Sequence, residues 1–184
     1  MRILLLLRGS ASCGKSTWIE EKGLKQYTLS ADDIRLLYQS PILQADGTER
    51  IGAEMDNAVW NTLFRILRVR MMNGEFTVID ATNSRTAEMN RYKELCAEYK
   101  YRIYCVDFTD IPIEEVKRRN EGREAFKRVP DKVIDTMYAR FAAQKIPSGI
   151  NVIRPDELDK VWTKLFDLSH YKRIHHIGDI VLDA

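Results

Sequence analysis

One eight-residue string near the N-terminus, Gly9-Ser10-Ala11-Ser12-Cys13-Gly14-Lys15-Ser16, constrains this chain more than any other feature. It satisfies G-x-x-x-x-G-K-[ST] at every fixed position, and Thr17 follows. The apolar run Ile3–Leu7 precedes it and an amphipathic stretch from about Lys15 to Lys22 follows. That is the strand, turn and helix context in which the motif has a physical meaning. Glycines at both ends let the backbone curl until successive N–H groups point inward. The N-terminus of the following helix adds its positive dipole to the same concavity. Such a loop holds phosphate oxygens, so Gly9 through Thr17 is the expected nucleotide-binding segment. Lys15 would reach the β- and γ-phosphates, the Ser16 hydroxyl would bind Mg²⁺, and Cys13 would contribute mainly its backbone N–H.

The rest of the chain alternates short apolar runs with longer amphipathic stretches, which predicts an α/β protein with a parallel sheet. Strands are expected at Arg2–Arg8, Tyr27–Leu29, Phe76–Ile79, Tyr101–Phe108 and Gly149–Arg154. Helices are expected from Asp33 to Gln39, up to Asn73-Gly74, and over Ser84–Lys100, Pro112–Asn120, Pro130–Lys145 and Pro155–Leu168; Ser40–Arg50 and Glu121–Val129 read as loops. At 184 residues and 45% hydrophobic the chain fits one domain with a real core. A net charge of +2 argues against a protein held on long duplex DNA by bulk electrostatics, although gripping a strand end needs far less. Cys13, Cys96 and Cys105 have neither metal spacing nor an even count, which suits reduced thiols in the cytoplasm. Ile3–Leu7 is too short for a signal core or a membrane span, and no membrane contact is expected.

A phosphate loop identifies a donor nucleotide and leaves the acceptor open. In an open α/β sheet, ligand-binding groups collect at the carboxyl ends of strands. Ser30-Ala31-Asp32-Asp33-Ile34-Arg35 sits just past the second strand, so Asp32 is expected near the γ-phosphate. A carboxylate there can take the proton of an attacking hydroxyl or orient it. Helix capping is the plainer role for Ser30 and one of the aspartates. Arg35, three residues on and on the same face, would hold a second anion on the acceptor. Phe76-Thr77-Val78-Ile79-Asp80 resembles a Walker B strand, whose Asp80 would steer Mg²⁺ through its waters. Asp80-Ala81-Thr82-Asn83 carries further hydrogen-bonding side chains beside the loop. Finally, Lys117-Arg118-Arg119-Asn120-Glu121-Gly122-Arg123 with Lys127-Arg128-Val129-Pro130 is a basic segment. Arg119 and Arg123, four apart, would close over the nucleotide as a lid, unless the segment is simply a solvated helix end.

Together these residues resemble the 5′-OH polynucleotide kinases of phage and bacterial end-healing enzymes. The likeness rests on the phosphate loop, Asp32-Asp33-Ile34-Arg35, Asp80-Ala81-Thr82-Asn83, Arg119 with Arg123, Val129-Pro130 and Met137-Tyr138-Ala139-Arg140-Phe141, and covers roughly residues 1–145. The resemblance implies a five-stranded parallel sheet flanked by helices, with an Arg-bearing helical lid over about residues 117–130. It implies ATP as donor, Mg²⁺, and the 5′-OH end of RNA or DNA as acceptor and partner. By the same resemblance Asp32 is the general base and Arg35 contacts the acceptor's 3′-phosphate. Lys15 and Arg123 act on the transferring phosphate, while Arg119 and Val129 flank the donor base. The lid is longer here around Glu124–Lys127. Phosphatase or ligase domains would accompany such a kinase in a larger repair protein.

The same elements also suit a small-molecule or toxin-type kinase acting on a sugar, nucleoside or adenylyl sulfate, or a nucleotide-dependent switch. Residues 1–168 are expected to form the kinase domain, leaving 169–184 as a strand or tail. Arg173–Ile180 resembles the opening strand of a calcineurin-like metallophosphoesterase, with Val181 in place of that family's histidine, so the tail is either bland or the start of a further domain. His175 and His176 would point to opposite sides of a strand, a poor pair of metal ligands.

Overall fold

The computed structural model describes residues 2–157. In chain order the elements are β1 (Ile3–Arg8), α1 (Lys15–Glu21), β2 (Thr28–Ser30), α2 (Ala31–Tyr38), β3 (Ile42–Leu43), β4 (Glu49–Arg50), α3 (Asp56–Met72), β5 (Thr77–Asp80), α4 (Thr86–Tyr99), β6 (Arg102–Asp107), α5 (Ile113–Glu121), α6 (Asp131–Ala143) and β7 (Asn151–Ile153). Five strands form one parallel sheet in the order β2-β5-β1-β6-β7. β1 is buried along its whole length because helices cover both faces of the sheet, which is why it reads as an unbroken apolar run. Its side chains alternate between two cores. Leu4 and Leu6 join Ile34, Phe64, Leu67, Met89 and Tyr92 under α2, α3 and α4. Ile3, Leu5 and Leu7 join Trp18, Ile19, Val116 and Ile134 under α1, α5 and α6.

The α/β class and the five-stranded parallel sheet expected from the sequence are found. The chain leaves β1 toward β2 on one side and later fills the other side with β6 and β7. The order therefore reverses at β1, and the crevice beyond its carboxyl end is the switch point where such sheets take ligands. Gly9 begins there, immediately after β1.

Three local expectations are corrected. Ser40–Arg50 is not a plain loop, because Ile42–Leu43 pairs antiparallel with Glu49–Arg50. Its turn is built by Asp46, whose Oδ1 accepts the Thr48 N–H at 2.9 Å and hydroxyl at 2.7 Å, and by Gly47 at φ 81°. Two-residue strands are too short to show a period. Second, α2 begins at Ala31 rather than Asp33. Ser30 alone caps it, accepting the Asp33 N–H at 3.2 Å, so neither aspartate is spent as a cap. Third, Ala125–Lys127 within the expected 121–129 loop forms a 3₁₀ turn. Beyond residue 157, the greater part of the expected 155–168 helix and the 169–184 segment with His175 and His176 lie outside the described residues. All three cysteines are free and buried, and burial pushes the Cys96 and Cys105 thiols up to about 12. Among the described residues no helix is long and apolar enough to cross a membrane.

Candidate functional site

The phosphate loop keeps its shape through backbone geometry that few residues tolerate. Ser12 and Gly14 take φ 63° and 101°, left-handed values that turn amides inward. A Cβ on Gly9 would lie 2.6 Å from Cys13 Sγ and 3.0 Å from Phe108 Cβ, so only glycine fits where the loop leaves β1. The loop is tied to the Asp80–Asn83 turn from both sides. Gly9 N–H donates to the Thr82 carbonyl at 3.2 Å, and Asn83 Nδ2 donates to the Leu7 carbonyl at 2.7 Å. Lys15 folds back across the loop, its Nζ donating to the carbonyls of Gly9 at 2.9 Å and Ser10 at 2.6 Å. Its ammonium thus sits inside the curl, where it can exchange those carbonyls for phosphate oxygens.

The sheet register brings the acidic residues alongside. Leu7 of β1, Asp80 of β5 and Ser30 of β2 lie in one row across three strands. Two residues past each outer member of that row stand Gly9 and Asp32, on neighbouring edges of the crevice. Ser16 Oγ lies 3.5 Å from Asp80 Oδ2, so the two oxygen groups converge. Burial raises the Asp80 pKa; Lys15 opposes the shift, and the negative charges of Asp32 and Asp33 add to it. The acid turn is therefore close enough to be felt electrostatically at Asp80.

Arg35 is held more elaborately than its spacing suggests. Its Nη1 donates to Asp32 Oδ1 at 2.7 Å, while its Nε and Nη2 reach Asp56 Oδ1 at 2.8 and 2.7 Å. Asp56 opens α3, where the helix dipole favours a carboxylate.

The basic segment is only partly brought to the loop. Arg119 lies over it, with Nη1 3.5 Å from the Cys13 carbonyl and Nε paired to Glu115 at 2.7 Å. Arg118 and Arg119 together hold the Glu115 carboxyl down at about 2. Arg123 contributes its carbonyl to Arg128 Nε at 2.8 Å, and its guanidinium makes no hydrogen bond or ion pair among the described residues. What fixes the segment is Asn120, read from sequence as one polar residue in a charged run but in fact buried. Its Nδ2 donates to the Val129 carbonyl at 2.7 Å, and its Oδ1 accepts the Val129 N–H at 3.2 Å and the Ser12 hydroxyl at 3.3 Å. One amide thus joins both ends of the basic segment to the phosphate loop. Asn120→Ala should lower the unfolding free energy by about 1–3 kcal/mol, since it strands the Val129 N–H and C=O. A urea titration checks this, an unchanged midpoint being the contrary result.

The AAA domain family profile matches residues 4–144, well over half of the chain. The chain belongs to the AAA domain family. Within it, the parallel sheet with flanking helices is a P-loop kinase-like fold, and nucleotide binding goes with that fold. The structure is similar to a chain of the Pnkp1/Rnl/Hen1 RNA repair complex, with TM-score 0.61 and 21% identity, over 76% of this chain and 44% of that one. It is also similar to a sugar kinase from Janibacter sp. HTCC2649, with TM-score 0.57 and 16% identity, over 92% and 96% of the two chains. Kti12 from Chaetomium thermophilum, solved with ADP-AlF3, matches with TM-score 0.54 and 14% identity over 86% and 97%. At these identities the likeness is one of fold. This AAA domain chain spans less than half the length of the RNA repair chain. No curated protein matches the sequence.

Proposed function

We propose that this AAA domain chain is a kinase that moves the γ-phosphate of ATP onto the 5′-hydroxyl end of RNA or DNA. The observation that carries the reading is the Asp32–Arg35 ion pair of 2.7 Å on the first turn of α2, beside the strand end that bears Asp80. An acid and an anion-binding arginine, side by side and with the acid close enough to act on the Asp80 carboxyl, suit an acceptor that presents a hydroxyl next to a phosphate. The fold likeness to a chain of an RNA repair complex supports the reading.

In this reading the acceptor oxygen attacks the γ-phosphorus in line. A new P–O bond forms, the bond to the β,γ-bridging oxygen breaks, and ADP departs with that electron pair. The proton lost by the hydroxyl goes to Asp32. Lys15 and Arg123 meet the charge that spreads over the transferring oxygens. Arg119 and Val129 flank the donor base, with Asn120 fixing Val129 from behind. Mg²⁺ would fit at the Ser16–Asp80 approach, where the Ser16 hydroxyl and the Asp80 carboxyl converge at 3.5 Å. Mg²⁺ there would be held by the Ser16 hydroxyl together with waters and the phosphates. When bound, the ion supplies charge neutralisation on the phosphate oxygens. Residues 1–168 serve as the kinase domain, and phosphatase or ligase partners of a repair system are the expected company.

A small-molecule kinase is the second reading, favoured by the match over 96% of a sugar kinase. Labelled ATP and Mg²⁺ with a panel of 5′-OH RNA, 5′-OH DNA, a 3′-nucleoside monophosphate and free sugars separates the two. Label on the oligonucleotides is the expected result, and label on sugars alone overturns the proposal. Arg35→Ala should further weaken only acceptors carrying a 3′-phosphate.

A further inference from the structure

We infer that Asp56 is a positioning residue that aims Arg35 at the acceptor's phosphate. The inference rests on the kinase reading and deepens it by naming what sets specificity for a phosphate beside the reacting hydroxyl. An arginine carries five N–H donors in a rigid plane. Here the Nε donor goes to Asp56 Oδ1 at 2.8 Å and one on Nη1 goes to Asp32 Oδ1 at 2.7 Å, while Nη2 lies in ion-pair contact 2.7 Å from Asp56 Oδ1. At least one N–H on each terminal nitrogen stays outside these hydrogen bonds, the pair that a bidentate phosphate contact takes. The guanidinium is thus gripped by its Nε side and by Asp32, while its free donors lie on the terminal nitrogens.

Asp56 is suited to this because it does not travel with α2. It stands 21 residues from Arg35, at the first position of α3. α3 is anchored by Val59, Leu63, Phe64, Leu67 and Met71 in the core beneath the sheet. Arg35 itself is only 17% exposed in its side chain, so its orientation is set by the protein rather than by solvent. Without Asp56 the guanidinium would have Asp32 as its only carboxylate partner in this set. It would then be free to swing onto Asp32 with both terminal nitrogens, withdrawing the donors meant for the acceptor. A second phosphate-bearing substrate is recognised, on this account, by a group that the second helix carries and the third helix holds still.

The test uses the full chain with Asp56→Asn and Asp56→Glu. Acceptor KM for a 3′-nucleoside monophosphate should rise about ten-fold in Asp56→Asn, the loss of one charge-assisted contact. kcat should stay within roughly three-fold, and Asp56→Glu should recover part of the loss. A role in folding alone would instead lower kcat for every acceptor alike, and that result overturns the inference. A second measurement is independent of turnover: the Arg35 Nε–H resonance in ¹⁵N-labelled protein. It should be slow to exchange with solvent in wild type and in Asp32→Asn, and fast in Asp56→Asn. If wild type phosphorylates none of the nucleic acid acceptors, the kinase reading falls, while the resonance still decides whether Asp56 holds Arg35. Unchanged protection in Asp56→Asn removes the positioning role.

Discussion

Asp32→Asn should lower kcat for transfer to a 5′-OH oligonucleotide by at least ~10²-fold, the contribution usual for a positioned general base. The reasoning is local. Asp32 is 58% exposed in its side chain, within the first turn of α2, and is not used as the helix cap. Asparagine keeps its size and can still accept from Arg35 Nη1, so the bond within α2 survives and the Arg35–Asp56 contact to α3 is untouched. What it loses is the ability to take a proton. Nucleotide affinity, set by the loop and the basic segment, should stay within a few-fold, as titration with a fluorescent ATP analogue would read. Turnover within ten-fold of wild type would remove Asp32 from the chemistry.

Lys15→Met should cost a comparable ~10²-fold or more in kcat/KM, and here part of the loss should appear as weaker ATP binding. Methionine matches the stem length without the charge. The residue is nearly buried, with its ammonium against the Gly9 and Ser10 carbonyls, so some stability will also go. Thermal unfolding of the variant separates the two effects. A folded Lys15→Met protein that retains wild-type turnover would rule out a direct role. Arginine should not rescue, since a planar fork does not replace the compact ammonium donating to the Gly9 and Ser10 carbonyls.

Much of this site was legible in the chain because its parts are short and anchored at strand ends. The phosphate loop announces itself by spacing, and the Asp32–Arg35 turn and Asp80 follow from the rule that strand ends carry ligand groups. Asp56 was not legible. Nothing in its neighbourhood distinguishes it, and its link to Arg35 exists only once α2 and α3 pack. Asn120 was hidden for a different reason: it sits among seven residues that read as a charged, solvated stretch, yet faces inward. Arg8 was likewise read as the last residue of a strand. It is buried, with Nη1 paired to Asp107 at 3.2 Å and Nη2 donating to the carbonyls of Phe141 and Gln144 that end α6. Each of these three is a polar side chain with at least one partner far along the chain, a relation that periodicity does not encode.

The Ile42–Arg50 hairpin does not hang free. Its outgoing end donates the Ile51 N–H to the Phe126 carbonyl at 3.1 Å, and so touches the 3₁₀ turn of the basic segment. The strand end that leads toward Asp56 and the segment that leans over the phosphate loop are therefore stitched by one main-chain bond. In the proposed kinase, an outward swing that parted Phe126 from Ile51 would loosen both walls at once. In the proposed kinase, donor and acceptor would not enter through separate doors: they would share a single hinge-side jamb, and whatever moved it for one would be felt by the other.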